Sequence, residues 1–250
     1  MTRNWINFLK AIQKKIQEWE SDGCDNVCFR GHADNLWNLR PSLFVKQTLN
    51  SISNEELNRL ENSLYFDFVT NAGTLLKDNI TSWEVLFEMR HHGIPTRLLD
   101  WTESFGTALF FALNGTGKTP CIWMLNPYDL NQVSTNSAGI PNPLRDLDFS
   151  YSEAYLDHKF NPYRFPIAII APRTSDRLFA QKGLFTLQGS EITPIDLIPD
   201  LSKCVAKFEI PINAIEDANK FLQLAGINNY SIFPDLDGLA KHLNIFHGIN

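Results

Sequence analysis

The sequence predicts an α+β domain in which a mainly central β-sheet is packed by helices. Two patterns predict this class: apolar residues recur at helical spacing in several segments, and short apolar runs without alternation, typical of central strands, lie between them. The chain has 250 residues, 44% of them hydrophobic and 12% aromatic, which is enough for a sizeable core. We therefore expect one domain over residues 1–250.

Helices in the first half of the chain are predicted by spacing and by capping signals. Apolar residues at helical spacing over 5–19 predict an amphipathic opening helix. The segments 53–56 and 81–84 both have the capping-box pattern, with apolar residues behind them, and so predict the starts of a second and a third helix. Gly93 and a nearby proline end the third helix.

The remaining elements are predicted from apolar runs and their lengths. Residues 105–113 are apolar on nearly every side, which indicates a helix inside the domain with its phenylalanines in the core. Residues 126–166 are rich in Asn, Pro and Ser, and we interpret them as a flap or mobile insertion. Two helices are predicted near the C-terminus, the second around 236–243. Strands are predicted at 27–30, 121–125, 167–171, 184–187 and 205–210.

Charge and cysteine content exclude several classes of function. The net charge of −6 disfavours general binding to DNA or RNA, although a local basic pocket is compatible with it. The four cysteines are too scattered for a disulfide scaffold or a metal clip, so we expect reduced thiols. No signal-peptide core or membrane-spanning apolar run is present, which predicts a cytoplasmic protein without membrane contact.

The first candidate site segment is Phe29-Arg30-Gly31-His32, at the end of a predicted strand. The guanidinium fork of Arg30 can hold a phosphate or carboxylate by two-point contact, and Gly31 would let a ligand approach the backbone. The alternative is that Arg30 pairs with a buried carboxylate and closes the strand edge. The sequence leaves both open. Trp37 and the run 41–44 are interpreted as a turn packed against the core.

The second candidate segment, 90–102, combines two histidines, two arginines, one aspartate and two threonines. A metal site on His91 and His92 is not expected, because adjacent helical residues point about 100° apart and we saw no carboxylate or cysteine at ligand spacing. Arg97 and Asp100 are candidates for a buried ion pair that fixes the turn, or for ligand contacts.

These two segments resemble the FRG domain, which is named for its Phe/Tyr-Arg-Gly opening. The block His-x-Gly-x-Pro-Thr-Arg-Leu-Leu-Asp-Trp-Thr at 91–102 is its most specific part, and the resemblance runs in order from residue 28 to about 243. His92 occupies a position where the family usually has an aromatic ring. The other segments that fit the family are 37–44, 108–112, 181–186 and 233–239.

A weaker resemblance links the chain to mono-ADP-ribosyltransferases, whose aromatic-Arg-Gly strand holds NAD. It implies that Arg30 binds the pyrophosphate or ribose, that His91 and Thr102 orient the nicotinamide ribose, and that Trp101 stacks on the ligand or walls the pocket. That family's catalytic Glu has no clear counterpart here. On this basis we assign NAD binding to Phe29, Arg30, Gly31, Arg97, Asp100 and Trp101, and catalysis to Arg30, His91, Thr102, Gln181 and Glu191.

Three functions are compatible with these residues. The resemblance implies an NAD-consuming ADP-ribosyltransferase-like enzyme or toxin, with a protein, nucleic acid or water as acceptor, and hints at bacterial or phage conflict. A non-catalytic module that binds a nucleotide is the first alternative. A metal-independent nuclease is the second, with His91 or His92 as acid or base and Arg97 or Arg30 on the phosphate.

Overall fold

The computed structural model describes residues 1–45, 52–170 and 183–249. The fold is a six-stranded antiparallel sheet packed by helices, which confirms the predicted α+β class. In chain order the elements are α1 (Arg3–Ser21), β1 (Cys28–His32), α2 (Asn54–Ala72), α3 (Ser82–His91), β2 (Leu98–Thr102), α4 (Phe105–Leu113), β3 (Cys121–Leu125), α5 (Pro127–Thr135), β4 (Ile167–Ile170), β5 (Gly183–Leu187), β6 (Val205–Glu209), α6 (Ile215–Leu224), α7 (Asn229–Ile232) and α8 (Leu236–Phe246).

The strand order β4-β5-β2-β1-β3-β6 places β1 and β2 side by side in the middle of the sheet. Strand β1 pairs with β3 along its whole length, but with β2 only through the pair Phe29 and Thr102. Beyond that pair the two strands no longer form a ladder, and the backbone carbonyl of Asp100 accepts a hydrogen bond from the Arg30 side chain instead. The Arg30 side chain therefore bridges β1 and β2 beyond that pair.

Helix α4 lies directly on β1, and Gly31 makes this contact sterically feasible. A Cβ built at Gly31 would lie 1.9 Å from the carbonyl oxygen of Ala108 and 2.6 Å from the nitrogen of Ala112. The prediction that Gly31 admits a ligand to the backbone needs correction, because the position that a side chain would fill belongs to the helix. The helix is buried as predicted, except that Phe111 is 36% exposed.

The predicted helix starts are confirmed at both capping boxes. Ser53 and Glu56 exchange side-chain and backbone hydrogen bonds at the start of α2, and Thr81 and Glu84 do the same at α3. Helix α3 ends at His91, and Gly93 follows with a φ of +79°, a conformation that favours glycine.

The segment 126–166 has more regular structure than its composition predicts. It contains α5 and a π-helical turn at Ser152–Leu156, and Tyr151 and Tyr155 are buried among aromatic neighbours. Its polar composition hid this because Asn131 uses its side-chain amide to bond both the N–H and the carbonyl of Ala168 on edge strand β4. The mobility of the segment and the single-domain assignment stay predictions.

None of the helices in the described ranges is long and apolar enough to cross a membrane. The four cysteines, Cys24, Cys28, Cys121 and Cys204, are buried free thiols, as expected.

Candidate functional site

A cavity of about 1130 Å³ opens where β1, β2, the end of α3 and one face of α4 meet. Residues 33–40, which follow β1, close one side of it. Small-molecule sites typically have volumes of about 300–1,000 Å³, so this cavity has room for a ligand as large as a dinucleotide.

Most of the predicted site residues converge on this cavity. Both candidate segments contribute to its wall although they are far apart in the sequence, because β1 and β2 are neighbours in the sheet. The predicted residues that line it are Phe29, Arg30, Gly31, His91, Asp100, Trp101 and Thr102.

Arg30 is held at the cavity wall by three groups. Its Nε donates to His32 Nε2 at 2.9 Å and its Nη1 donates to the carbonyl oxygen of Asp100 at 2.7 Å, while Nη1 lies 3.6 Å from a carboxylate oxygen of Asp100. Its Nη2 has no hydrogen-bond partner among the residues that the structure describes, and 23% of the side chain is exposed. Arg30 is thus oriented by the protein and still presents a donor to the cavity.

Burial first, and then the neighbouring Arg90, lower the pKa of Arg30 to about 10 against the opposing effect of Asp100. The guanidinium nevertheless remains protonated at neutral pH, since its pKa stays well above 7. A partly buried cation of this kind favours an anionic ligand, which replaces the solvation that burial removes.

Asp100 is shared between two arginines. Arg90 binds its carboxylate through two nitrogens, Nε at 3.0 Å and Nη2, and Arg30 approaches from the other side. Burial would raise the pKa of Asp100, but Arg90 and Arg30 outweigh it and the pKa is lowered. The carboxylate is therefore ionised, and its pairing with Arg90 replaces the expected pairing with Arg97, which was wrong.

His32 acts as the neutral support of Arg30. Its Nε2 accepts from Arg30, so the ring proton is on Nδ1, which donates to the carbonyl oxygen of Trp37 at 3.2 Å. Burial first, and then the charge of Arg30, lower the pKa of His32 to about 3. The sequence motif contained His32, but only the structure shows that it orients Arg30.

Arg97 lies away from the cavity in a buried network. Its guanidinium forms a two-point ion pair with Glu61, donates to the carbonyl oxygen of Gln188 and stacks 4.3 Å from the ring centroid of Tyr155. Tyr151 donates its hydroxyl proton to the same Glu61. Burial would lower the pKa of Arg97, but Glu61 outweighs it and the pKa is raised. With its donors used inside the protein, Arg97 does not contact the cavity in the way predicted.

The aromatic residue that can stack on a ligand is Trp37 rather than Trp101. The Trp101 side chain is 2% exposed, packs in the core and donates its indole N–H to Thr186. Trp37 lines the cavity, is 48% exposed and makes an edge contact with His32. The expectation that Trp37 is a packed turn residue was wrong, because the turn after β1 places its ring over the cavity. Phe111 adds a second exposed ring.

The predicted catalytic residues other than Arg30 divide into three groups. His91 and Thr102 line the cavity, and Thr102 Oγ1 accepts the backbone N–H of Ser104 at the start of α4. Glu191 is not part of the cavity wall: it accepts hydrogen bonds from the backbone and hydroxyl of Thr193, which lower its pKa. Gln181 lies outside the described residues.

Sequence reasoning missed Glu88, whose side chain lies beside His91 and His92. Its carboxylate lies 4.0 Å from His91 Nδ1 and 3.8 Å from His92 Nε2. The argument against a metal on these histidines assumed that no carboxylate was near them at ligand spacing, and that premise was wrong. The signal was present in the sequence, because Glu88 precedes the histidines by three and four residues, which places it on their side of the helix.

The cavity wall is positively charged in an acidic protein. Its ionisable residues, apart from histidines, are Arg30, Arg40, Arg90 and Asp100, three cations against one anion, whereas the whole chain has a charge of −6. A local concentration of arginines with so few carboxylates is typical of a site for an anionic ligand.

One known family matches the part of the chain that contains the cavity residues. The family model of the FRG domain matches residues 25–119, which confirms the predicted resemblance to that family over this part of the chain. The match ends well before residue 243, the expected limit. Every described residue that lines the cavity lies within the matched range, 25–119. Comparisons with curated proteins and with solved structures found no match.

Proposed function

We propose that the chain binds an anionic nucleotide in this cavity, with NAD as the first candidate ligand. The observation that carries the proposal is Arg30: its orientation is fixed by His32 and Asp100, and it lines a cavity with two further arginines while its Nη2 has no partner among the described residues. A pyrophosphate needs such a cluster of fixed cationic donors.

The shape and lining of the cavity support a nucleotide over a small anion. The volume of about 1130 Å³ is far larger than a phosphate or sulfate requires. Trp37 and Phe111 present exposed rings at the wall, and a base or nicotinamide ring can stack on them. We therefore assign the phosphates to Arg30, whose Nη2 has no partner among the described residues, and a ring of the ligand to Trp37.

Binding without turnover is the form of this function that the described residues favour. Cleavage of the bond between nicotinamide and ribose develops positive charge, which a free carboxylate facing the ribose stabilises. Asp100 is the one carboxylate in the described cavity wall, and Arg90 and Arg30 neutralise it. The chain would then act as a nucleotide-binding module, and an NAD-consuming effector role in phage conflict is the second candidate, based on the resemblance to ADP-ribosyltransferases.

A ligand panel tests the binding proposal. The midpoint of thermal unfolding is measured with NAD, ADP-ribose, ATP, nicotinamide and inorganic phosphate. Ligand at about one hundred times its dissociation constant adds roughly 2.7 kcal/mol to the free energy of unfolding. We expect NAD and ADP-ribose to stabilise the protein and phosphate alone to have little effect. If no nucleotide raises the midpoint, the proposal fails.

Chromatography of the same NAD mixtures separates the two candidate functions. Intact NAD after prolonged incubation supports a binding module. Release of nicotinamide that disappears in Arg30→Ala supports the enzyme instead, and then the acceptor is sought among water, proteins and nucleic acids.

A further inference from the structure

We propose that Glu88, His91 and His92 bind a divalent transition-metal ion at the wall of the cavity, with Zn²⁺ as the preferred ion. This proposal does not depend on nucleotide binding. One potential ligand atom from each of the three side chains lies within 4.8 Å of the other two. No second group of three such side chains was found in the described ranges.

The end of helix α3 explains how three side chains converge. Glu88 and His91 are three residues apart and Glu88 and His92 four apart, so each histidine lies one turn beyond the carboxylate. Adjacent residues inside a helix would point about 100° apart. His92, however, is the C-cap residue with φ −88° and ψ 12°, and the two imidazole rings come to 5.0 Å between centroids.

The distances match a metal site better than direct bonding between the side chains. At 4.0 and 3.8 Å, the histidine nitrogens are beyond hydrogen-bond length from Glu88 Oε2. Around a tetrahedral zinc ion, with bonds of about 2.0–2.2 Å, neighbouring ligand atoms lie roughly 3.4 Å apart. The two distances from Glu88 exceed this spacing by about half an ångström, a difference on the scale of a side-chain rotation.

The donor set defines the class of ion and leaves room for a further ligand. Two imidazoles and one carboxylate are a known set for catalytic zinc, which keeps a fourth position for water or substrate. Mn²⁺ and Co²⁺ accept the same donors with lower affinity or different geometry. His91 and His92 both line the cavity, so an ion held by them lies within reach of a ligand bound there. A phosphate or carboxylate oxygen is the ligand class that would fill it.

Calorimetry on untagged full-length protein tests the site. Zn²⁺, Mn²⁺ and Co²⁺ are titrated separately into wild type, Glu88→Gln, His92→Ala and the control His247→Ala, which removes an exposed histidine from the end of α8. We expect one Zn²⁺ per chain at micromolar or tighter affinity in wild type and in the control. Each site variant should weaken binding at least a hundredfold.

Two results would overturn the proposal. One is the lack of uptake of any of the three ions by wild type. The other is unchanged affinity in Glu88→Gln, a nearly isosteric change that leaves the fold intact and removes only the anionic ligand. Circular dichroism of each variant verifies folding. Repeating the nucleotide panel with EDTA keeps this result separate from the proposed function, since Arg30 and Trp37 need no metal.

Discussion

Arg30 and His32 lie two residues apart on one strand, and each determines the chemical state of the other. The histidine accepts a hydrogen bond from a cation, so it stays neutral, and the cation is held in one orientation because the histidine accepts. Arg30 is therefore preorganised, which reduces the side-chain conformational entropy that is lost when a ligand binds. The same pairing makes a prediction about pH.

The stability of the protein should fall with acidification through His32. The folded pKa is about 3 and the ordinary value is 6.5, so between these values the unfolded chain binds a proton that the folded protein does not. This contribution is complete above pH 6.5 and is lost as the pH falls toward 3, by up to about 1.4 kcal/mol per pH unit. Urea unfolding of wild type and His32→Gln at pH 7, 6 and 5 measures it.

Glutamine is the matched replacement because its amide oxygen can accept from Arg30 without titrating. As the pH falls, wild type should lose this contribution to its free energy of unfolding, whereas His32→Gln should not. The stability of His32→Gln relative to wild type should therefore rise. A difference that stays constant from pH 7 to 5 would contradict the assigned state of His32.

At the scale of elements, the site depends on how closely α4 approaches β1. The contact of Gly31 with the backbone of Ala108 fixes the distance between helix and strand, and Thr102 caps the same loop by accepting from Ser104. Gly31 therefore acts in packing. Its neighbours Arg30 and His32 line the cavity because the contact with α4 sets the position of β1.

Gly31→Ala should destabilise the protein by about 3 kcal/mol or more, because the added methyl group overlaps backbone atoms that cannot move independently. Gly139→Ala is the control, since its nearest neighbour would be the Ser137 hydroxyl at 3.6 Å. Denaturant unfolding compares them. Equal stability of the two variants would show that α4 does not lie this close to β1.

The network of Arg97 joins three separate elements: α2 through Glu61, the π-helical turn through Tyr151, and the loop before β2. Removing one member of a buried pair leaves the other charge without compensation, which costs about 3–5 kcal/mol. Arg97→Met should therefore destabilise the fold by an amount in this range.

The exposed pair Arg59 and Glu55 provides the control for that prediction. Arg59→Ala removes one partner from a solvated pair and should change the free energy of unfolding by less than about 1 kcal/mol. If Arg97→Met proves as mild as Arg59→Ala, the network does not hold the elements together.

At the scale of the whole molecule, local patterns predicted the elements, whereas the partners of individual side chains required the structure. Capping boxes and apolar runs depend on neighbours in sequence, so α2, α3 and β3 were predicted near their observed bounds. The pairing of Arg97 with Glu61 joins residues 36 positions apart, and no local signal distinguishes Glu61 from the other carboxylates.

The candidate site was predicted to a similar extent. The two motif segments contain Arg30, Asp100 and Thr102, and these residues meet at the cavity because β1 and β2 are neighbours in the sheet, which the sequence did not show. Trp37 was missed because its exposure depends on the path of the turn after β1. Trp101 lines the cavity as predicted, but strand alternation alone did not show that its ring is almost wholly covered.

The most direct test of the account is the affinity of ADP-ribose or NAD for Arg30→Ala, measured by calorimetry beside wild type and Arg59→Ala. If Arg30 is the preorganised anion contact of the cavity, its loss should weaken binding at least tenfold to a hundredfold, consistent with about 1.5–3 kcal/mol for a charge-assisted hydrogen bond, while Arg59→Ala binds like wild type. Equal affinity in all three proteins would contradict the central claim.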